Sequence, residues 1–167
     1  MPTQEQAKLH ELLHHFEVGV LVTQSADGDL HARPMAIAQI DDDCTTWFVT
    51  SRSSPKIDEV HQSSRAHVVC QRGASAFLSM SGEAAVVDDR AKLDGLWKAV
   101  YEPWFPQGKN DPELTLLRVT PDQGEYWDGR GMRGVKYIIE AARAVAMGTR
   151  VHIDEPEQHG RTKLSKV

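Results

Sequence analysis

Hydrophobic and polar positions alternate along the first third of the chain in a way that predicts one helix followed by strands. Leucines and a phenylalanine recur at helical spacing over residues 3–16, which predicts an amphipathic opening helix. The β-branched run 18–23 predicts a buried strand, and the Asp27-Gly28 pair behind it predicts a hairpin turn. A long return strand is predicted over 30–40. This part of the sequence therefore indicates antiparallel β-structure.

The middle of the chain predicts further strands around a short helix. A third strand is predicted over 45–50, and a helix over 55–62 begins with a proline, which suits the first helical position. Strands follow over 66–71 and 77–87. Gly82 inside the last of these predicts a bulge or a close approach of another backbone segment.

The last third predicts two more helices and two more strands. Residues 88–101 show helical spacing of apolar side chains, with an aspartate available as N-cap. Strands are predicted over 114–120 and 124–128, joined by a turn that contains proline and glycine. A final helix is predicted over 135–147, ended by Gly148.

These elements predict a mainly β protein with helical additions (α+β), folded as a small antiparallel barrel. We expect a single domain over 1–153 and a polar, loose C-terminal tail over 154–167. The net charge of −5 argues against a nucleic-acid binder. No apolar run approaches the length of a membrane span, and the first residues do not resemble a signal peptide, so a cytoplasmic location is expected. Cys44 and Cys70 lack the spacing of a metal or disulfide motif, which predicts two ordinary thiols.

Two cations and several hydroxyls fall at the ends of predicted strands and at the start of a predicted helix. Arg33 can offer a bidentate fork and Lys56 a point charge, while Thr50, Ser51 and Ser54 supply neutral donors. The free N–H groups of the helix over 55–62 would face the same anion. A single arginine or lysine is usually a solvated charge, but a phosphate site needs several such groups to converge. The sequence therefore predicts a phosphorylated cofactor.

The order of these motifs resembles the FMN-binding split-barrel family of the pyridoxamine 5'-phosphate oxidases and their relatives, and most of all its general stress protein subgroup. The resemblance runs from about residue 5 to residue 150. It is carried by Arg33-Pro34-Met35, Trp47–Thr50, Ser54-Pro55-Lys56, Ser79–Ala84, Trp104-Phe105-Pro106 and Glu125–Asp128. It implies a split β-barrel of the FMN-binding type that acts as a homodimer, with the flavin near the subunit interface.

The resemblance also implies roles for individual residues. It assigns the phosphate and ribityl chain of FMN to Arg33, Thr50, Ser51, Ser54 and Lys56. Pro34 and Met35 would lie beside the isoalloxazine ring, and Gln71 would contact the flavin or its tail. Trp104 or Trp127 would reach the flavin of a partner subunit.

Three functions remain open at this point: an FMN-dependent oxidoreductase, a reductase that uses a deazaflavin, and a non-catalytic flavin-binding stress or sensor protein. No catalytic acid, base or nucleophile can be named from the spacing of residues. The paired C-terminal arginine and histidine with which the true oxidases bind substrate are not located in this sequence. Oxidation of pyridoxamine phosphate is therefore expected to be weak or absent, and the redox partner is expected to be another small molecule.

The sequence contains three other features that could bear chemistry. His10 and His14 match the HExxH pattern of zinc proteases, but they lie on the polar flank of the predicted helix and no third ligand is evident, so no metal is expected. The glycine-rich segment 129–134 lacks the lysine and serine of a phosphate loop, which favours a turn. His31 shares the strand facing of Arg33, although a surface position is expected.

Aromatic residues are concentrated in one segment. Trp104 lies between two prolines and needs a packing partner, which could be its own barrel, a second subunit or a ligand ring. With Trp97, Tyr101 and Phe105 it predicts more aromatic surface than a small core hides, which favours a dimer interface. Trp47 is expected in the core.

Overall fold

The computed structural model describes residues 3–73, 75–129, 143, 146–148 and 159–164. Within these residues the chain forms one antiparallel sheet with helices packed against it. The elements are α1 (Gln4–Leu13), β1 (Val18–Gln24), β2 (Leu30–Ala36), β3 (Gln39–Ile40), β4 (Thr46–Ser51), α2 (Pro55–Gln62), β5 (Arg65–Arg72), β6 (Ala76–Val87), α3 (Arg90–Leu96), two 3₁₀-helices (Ala99–Trp104 and Gly108–Asn110), β7 (Leu114–Asp128) and β8 (His159–Lys163).

The sheet curls into a half-barrel with the strand order β2-β1-β5-β6-β7-β4-β3. β7 pairs with β6 along one edge. On its other edge it pairs with β4 over its first half and with β8 over its second half. The predicted mainly β fold with helical additions, a small antiparallel split barrel, is confirmed. Within the described ranges, no helix is long and apolar enough to cross a membrane.

The main core lies on the inner face of the curled sheet. The largest fully buried side chains there include Leu21, Phe48, Val68, Leu78, Met80, Leu117 and Tyr126. α1 covers this face with Leu9, Leu12 and Leu13, and its first turn is closed by a capping box between Thr3 and Gln6. Each fully buried leucine contributes about 1.5–3 kcal/mol, so burial is what holds α1 on the sheet.

A second core lies on the outer face of β4 and of the first half of β7, beneath α3 and the longer 3₁₀-helix. It consists of Trp47, Val49, Leu93, Tyr101, Phe105, Leu114 and Leu116. β4 is therefore buried on both faces, between the two cores. This burial fixes the position of its C-terminal end, where the predicted phosphate ligands begin.

One predicted strand is divided in the structure. The return strand over 30–40 is divided into β2 and β3, because β2 pairs with β1 and β3 pairs with β4 on the other edge of the sheet. Between them the N–H of Ile37 donates to the carbonyl of Glu17, and that of Ala38 donates to the carbonyl of Trp47. The chain thus passes here from one edge of the sheet to the other.

The predicted turn at 121–124 is wrong, because β7 is one continuous strand. Pro121 and Gly124 face β6 across a register shift at Ser81 and Gly82, so a bulge absorbs the residues that suggested a turn. The bulge predicted at Gly82 is confirmed.

The predictions for the C-terminal half are corrected in two further places. The helix predicted over 88–101 ends at Leu96, where Trp97 takes an extended backbone, and the chain continues as a 3₁₀-helix that contains Pro103. The predicted tail over 154–167 is not loose throughout, because His159–Lys163 forms β8. Most of the helix predicted over 135–147 and nearly all of the glycine-rich segment lie outside the described residues.

Gly82→Ala is expected to destabilise the fold strongly. A Cβ atom at this position would lie 2.1 Å from the backbone carbonyl oxygen of Thr120, and backbone cannot move aside as a flexible side chain can. We expect a loss of about 3 kcal/mol or more in the free energy of unfolding, measured by urea denaturation. Gly95→Ala is the matched control, because nothing lies within 4 Å of its added Cβ inside α3. That variant should gain about 0.5–1 kcal/mol, and similar losses in both variants would contradict this packing.

Candidate phosphate site at the start of α2

Lys56, Thr50 and Ser54 converge where β4 ends and α2 begins. The Nζ atom of Lys56 donates to Thr50 Oγ1 at 3.1 Å and also to the hydroxyl of Ser54. Thr50 is buried, while Ser54 and Lys56 are half-buried. Three of the predicted phosphate ligands therefore share one small volume, held by a strand that two cores fix in place.

The first turn of α2 adds backbone donors to this cluster. Pro55 occupies the first helical position, as predicted, and the side chain of the N-cap residue Ser54 accepts no hydrogen bond from the backbone N–H groups of the first turn. The N–H groups of a first turn carry partial positive charge and favour an anion. Hydroxyls, an ammonium group and this helix end form a donor set that suits a phosphate monoester.

Arg33 lies beside this cluster but is bound to a residue that the sequence did not single out. Its guanidinium donates to Glu59 Oε2 at 2.8 Å and to the hydroxyl of Thr23. Thr23 in turn donates to Glu59, and His31 Nδ1 lies 2.5 Å from Glu59 Oε1. Arg33, Thr23 and His31 thus tie β1 and β2 to α2 through one buried carboxylate.

Electrostatics show that the two cations lie close together. Burial lowers the pKa of Lys56, the charge of Arg33 lowers it further, and Glu59 opposes this shift. Burial by itself would raise the pKa of Glu59, but hydrogen bonds from His31, Thr23 and Arg33 outweigh it. The pKa of Glu59 is lowered to about 2. One carboxylate, that of Glu59, therefore acts on both Arg33 and Lys56. A further anion beside Lys56 would be favoured by the remaining positive charge.

Glu59 is expected to make the stability of the fold depend on acid. Its pKa falls from 4.5 to about 2, so the ionised form contributes stability above about pH 4.5, and this contribution is lost as the pH falls towards 2. Glu59→Gln should remove this acid dependence and cost of the order of 3 kcal/mol at neutral pH, because Arg33 loses its charged partner. Thermal melting between pH 7 and pH 3 measures both effects. Asp58→Asn, which alters an exposed carboxylate on the same helix, should keep the acid dependence.

Ser51 is not part of the Lys56 cluster, contrary to the prediction. Successive residues of a strand point to opposite faces, so Ser51 lies on the other side of β4 from Thr50. Its hydroxyl donates to Glu113 Oε2 at 3.0 Å, and the N–H of Ser53 donates to the same oxygen at 3.2 Å. A carboxylate already satisfies these donors.

Gln71 and Pro34 lie on the outer face of the sheet, away from Lys56. Gln71 begins a row of direct cross-strand partners that continues through Phe77 and Trp127 to His159. The rings of Trp127 and His159 are stacked with their centroids 5.1 Å apart. Pro34 is the cross-strand partner of Val20, so both side chains lie on the outer face. Within one chain, Gln71 and Pro34 are therefore separated from the Lys56 cluster by the sheet.

No other described residues cover the outer face of β1, β5 and the paired ends of β6 and β7. Five apolar side chains on it are 36–50% exposed, whereas the other end of the same face is covered by the second core. We call the set Val18, Val20, Val69, Phe77 and Trp127 the bare outer face.

The aromatic segment packs differently from the prediction. Tyr101 and Phe105 are buried in the second core, and Trp97 packs against it, so the chain hides most of this aromatic surface by itself. Trp104 is the exception, because 71% of it is exposed and its own barrel covers only a small part of the indole. The argument for a dimer therefore no longer rests on this segment.

Met35 and Trp47 both pack in the hydrophobic cores. Met35 is partly buried against the main core, and Trp47 is buried in the second core, as expected for Trp47. The indole Nε1 of Trp47 donates to Asp41 Oδ2 at 2.6 Å. Cys44 and Cys70 are buried free thiols, in agreement with the prediction, and burial raises the pKa of each to about 12.

Comparison with known proteins agrees with this architecture. The chain belongs to the pyridoxamine 5'-phosphate oxidase-like family, because the model of that family (Pyridoxamine 5'-phosphate oxidase like) matches residues 4–152. Its relatives place it among the general stress proteins of that family. General stress protein 26 of Bacillus subtilis (strain 168) is 29% identical over 119 residues, which cover 69% of this chain and 82% of that protein.

Two solved structures show the same split barrel. A Jannaschia sp. CCS1 protein, described as a candidate general stress protein 26, has a TM-score of 0.70 at 25% identity, covering 94% of this chain and 96% of its own. The general stress FMN/FAD binding protein of the phytopathogen Xanthomonas citri has a TM-score of 0.61 at 30% identity, covering 77% of this chain and 89% of its own.

Proposed function

We propose that this protein binds FMN and acts as a flavin-dependent oxidoreductase of the pyridoxamine phosphate oxidase-like superfamily. The observation that carries the proposal is the half-buried Lys56, which meets Thr50 and Ser54 at the uncapped start of α2 beside a second cation. A phosphate monoester is the group whose charge and acceptor oxygens this set of donors matches.

The comparisons support a flavin as the molecule that carries this phosphate. The Xanthomonas citri relative is described as an FMN/FAD binding protein, and the family is that of a flavin-related oxidase. Lys56, Thr50 and Ser54 would hold the phosphate, and Glu59 would orient Arg33 towards the same anion. Bound flavin would supply electron or hydride transfer, while the residues of the chain bind it and orient it.

We further propose that the active form is a homodimer whose second copy covers the bare outer face. The central pair of this face is Val20 and Val69, which are direct cross-strand partners and more than a third exposed. Contiguous apolar surface of this kind marks an interaction site. Gln71 and Trp127 lie on this face while Lys56 lies elsewhere, so a cofactor touched by both groups needs two chains.

A non-catalytic role is the second candidate, and the relatives favour it. Two of them are named general stress proteins, and the name of one of these also states that it binds FMN/FAD. In such a protein the same site would hold FMN without rapid turnover. The two candidates differ in chemistry and share the site.

Purification without added flavin, followed by absorption spectroscopy and anaerobic reduction, tests the proposal. We expect a yellow protein whose FMN is reduced by a nicotinamide donor or by light and is reoxidised by oxygen or an added acceptor. Reduction without any acceptor turnover would favour the non-catalytic role. A protein that binds a deazaflavin and rejects FMN would contradict the cofactor assignment, and saturable production of pyridoxal phosphate would show that the parent activity survives.

A further inference from the structure

His10 and His14 face each other on the solvent side of α1, a helix that carries none of the flavin-site residues proposed above. Their Nε2 atoms are 3.2 Å apart, and the ring centroids are 4.6 Å apart with an interplanar angle of 74°. The buried side of α1 is formed by its leucines, so neither ring belongs to the main core. The pair is one turn apart on a helix whose other face is fixed to the sheet.

The separation of these two nitrogens matches that of two ligands on a tetrahedral ion. With metal–nitrogen bonds of about 2.05 Å, two tetrahedral ligands lie roughly 3.3 Å apart, whereas two neighbouring square-planar ligands lie roughly 2.9 Å apart. The observed 3.2 Å is nearer to the tetrahedral value. Imidazole is a common ligand of Zn²⁺, which is most often four-coordinate and tetrahedral in proteins.

We propose that His10 and His14 form an open binding site for a divalent transition-metal ion in tetrahedral coordination, such as Zn²⁺. Among the described residues, no group of three or more histidine, cysteine, aspartate or glutamate side chains could hold a metal. The site therefore has two protein ligands, with water or an exogenous ligand in the remaining positions. This is a surface chelate and differs from the enclosed three-ligand centre that the HExxH pattern denotes in proteases.

The neighbouring groups leave the pair accessible to a cation. Lys8 Nζ is held by Glu11 at 3.2 Å and by Asp128 at 3.5 Å, so its charge is directed to two carboxylates. His15, the third histidine of this helix end, is turned to the backbone, because its Nδ1 lies 2.9 Å from the carbonyl oxygen of Glu11. His15 therefore provides a matched control.

Zn²⁺ titration of the untagged full-length chain tests the site. Isothermal titration calorimetry should give saturable binding in the wild type and in His15→Ala. His14→Ala and His10→Ala should each weaken that binding at least about tenfold, because the loss of one imidazole destroys the chelate. Zn²⁺ should also raise the melting temperature of the wild type and of His15→Ala more than that of His14→Ala, since the ion binds the folded helix.

Cobalt provides a readout of geometry. Co²⁺ bound at the same site should give the intense visible bands of tetrahedral coordination in the wild type and lose them in His14→Ala. Equal Zn²⁺ binding by the wild type and His14→Ala would overturn the proposal, as would absence of binding in both, which would leave the two rings joined only by a hydrogen bond. All four proteins should fold, because alanine is the best helix former and neither ring is in the core.

Discussion

Replacing Lys56 by alanine is expected to weaken FMN binding at least about tenfold, because a charge-assisted hydrogen bond contributes roughly 1.5–3 kcal/mol. The fold of the apoprotein should be nearly unaffected. Lys56 has no carboxylate partner within hydrogen-bond distance in the described residues, and burial and the charge of Arg33 both disfavour its charged form. Fluorescence titration of the stripped apoprotein with FMN measures the affinity, and thermal melting checks the fold.

Lys109→Ala is the matched control for this change, because Lys109 is exposed on the short 3₁₀-helix at 108–110. It should bind FMN as the wild type does. Arg33→Ala is a poorer probe, since it also leaves the buried carboxylate of Glu59 without its charged partner and should lower stability. A Lys56→Ala protein that still copurifies with full flavin would place the phosphate elsewhere.

Val69→Asp is expected to convert the proposed dimer into a monomer. Val69 and its partner Val20 form the centre of the bare outer face, and a second copy would enclose a carboxylate there without a cation. Burial of an unpaired charge costs several kcal/mol, so the dissociation constant of the dimer should rise at least about 100-fold. Light scattering coupled to size-exclusion chromatography at micromolar concentration measures the mass.

Val100→Asp controls for the addition of a charge, because Val100 is 60% exposed but lies on the 3₁₀-helix over the second core. It should remain a dimer. Under the proposal, the Val69→Asp monomer should also bind flavin poorly, since Gln71 and Trp127 would no longer be supplied across the interface. A wild-type chain that is monomeric with flavin bound would contradict the assignment of this face.

Sequence signals that act over a few residues predicted their elements well. α2 has the bounds that its proline and apolar spacing indicated, and the glycine at 82 marked a true bulge. The cluster of Lys56, Thr50 and Ser54 follows from the same local signals, because a strand end and a helix start are adjacent in the chain. The alternation of faces along a strand already indicated that the neighbouring Ser51 would lie on the other side of β4 from Thr50.

Features that depend on distant partners could not be predicted in this way. The proline and glycine at 121 and 124 looked like a turn until their pairing with β6 was known. Glu59 reads as one of several helical acids, and only tertiary structure shows that it binds Arg33. Part of this cluster around Glu59 could have been found from the sequence. The predicted hairpin at 25–29 places Thr23 opposite His31, and both side chains contact Glu59. The burial of Tyr101 and Phe105 required a second core on the outer face, which no periodicity reveals.

The central claim is that the cluster at the start of α2 binds a phosphate, and the ratio of FMN affinity to riboflavin affinity tests it most directly. The two flavins share the ring and the ribityl chain and differ in the phosphate group alone. We expect the stripped apoprotein to bind FMN at least about tenfold more tightly than riboflavin, because riboflavin gives Lys56 and the first turn of α2 no anion to bind. The preference should shrink in Lys56→Ala and persist in Lys109→Ala. Equal affinity of the wild type for the two flavins would contradict the account.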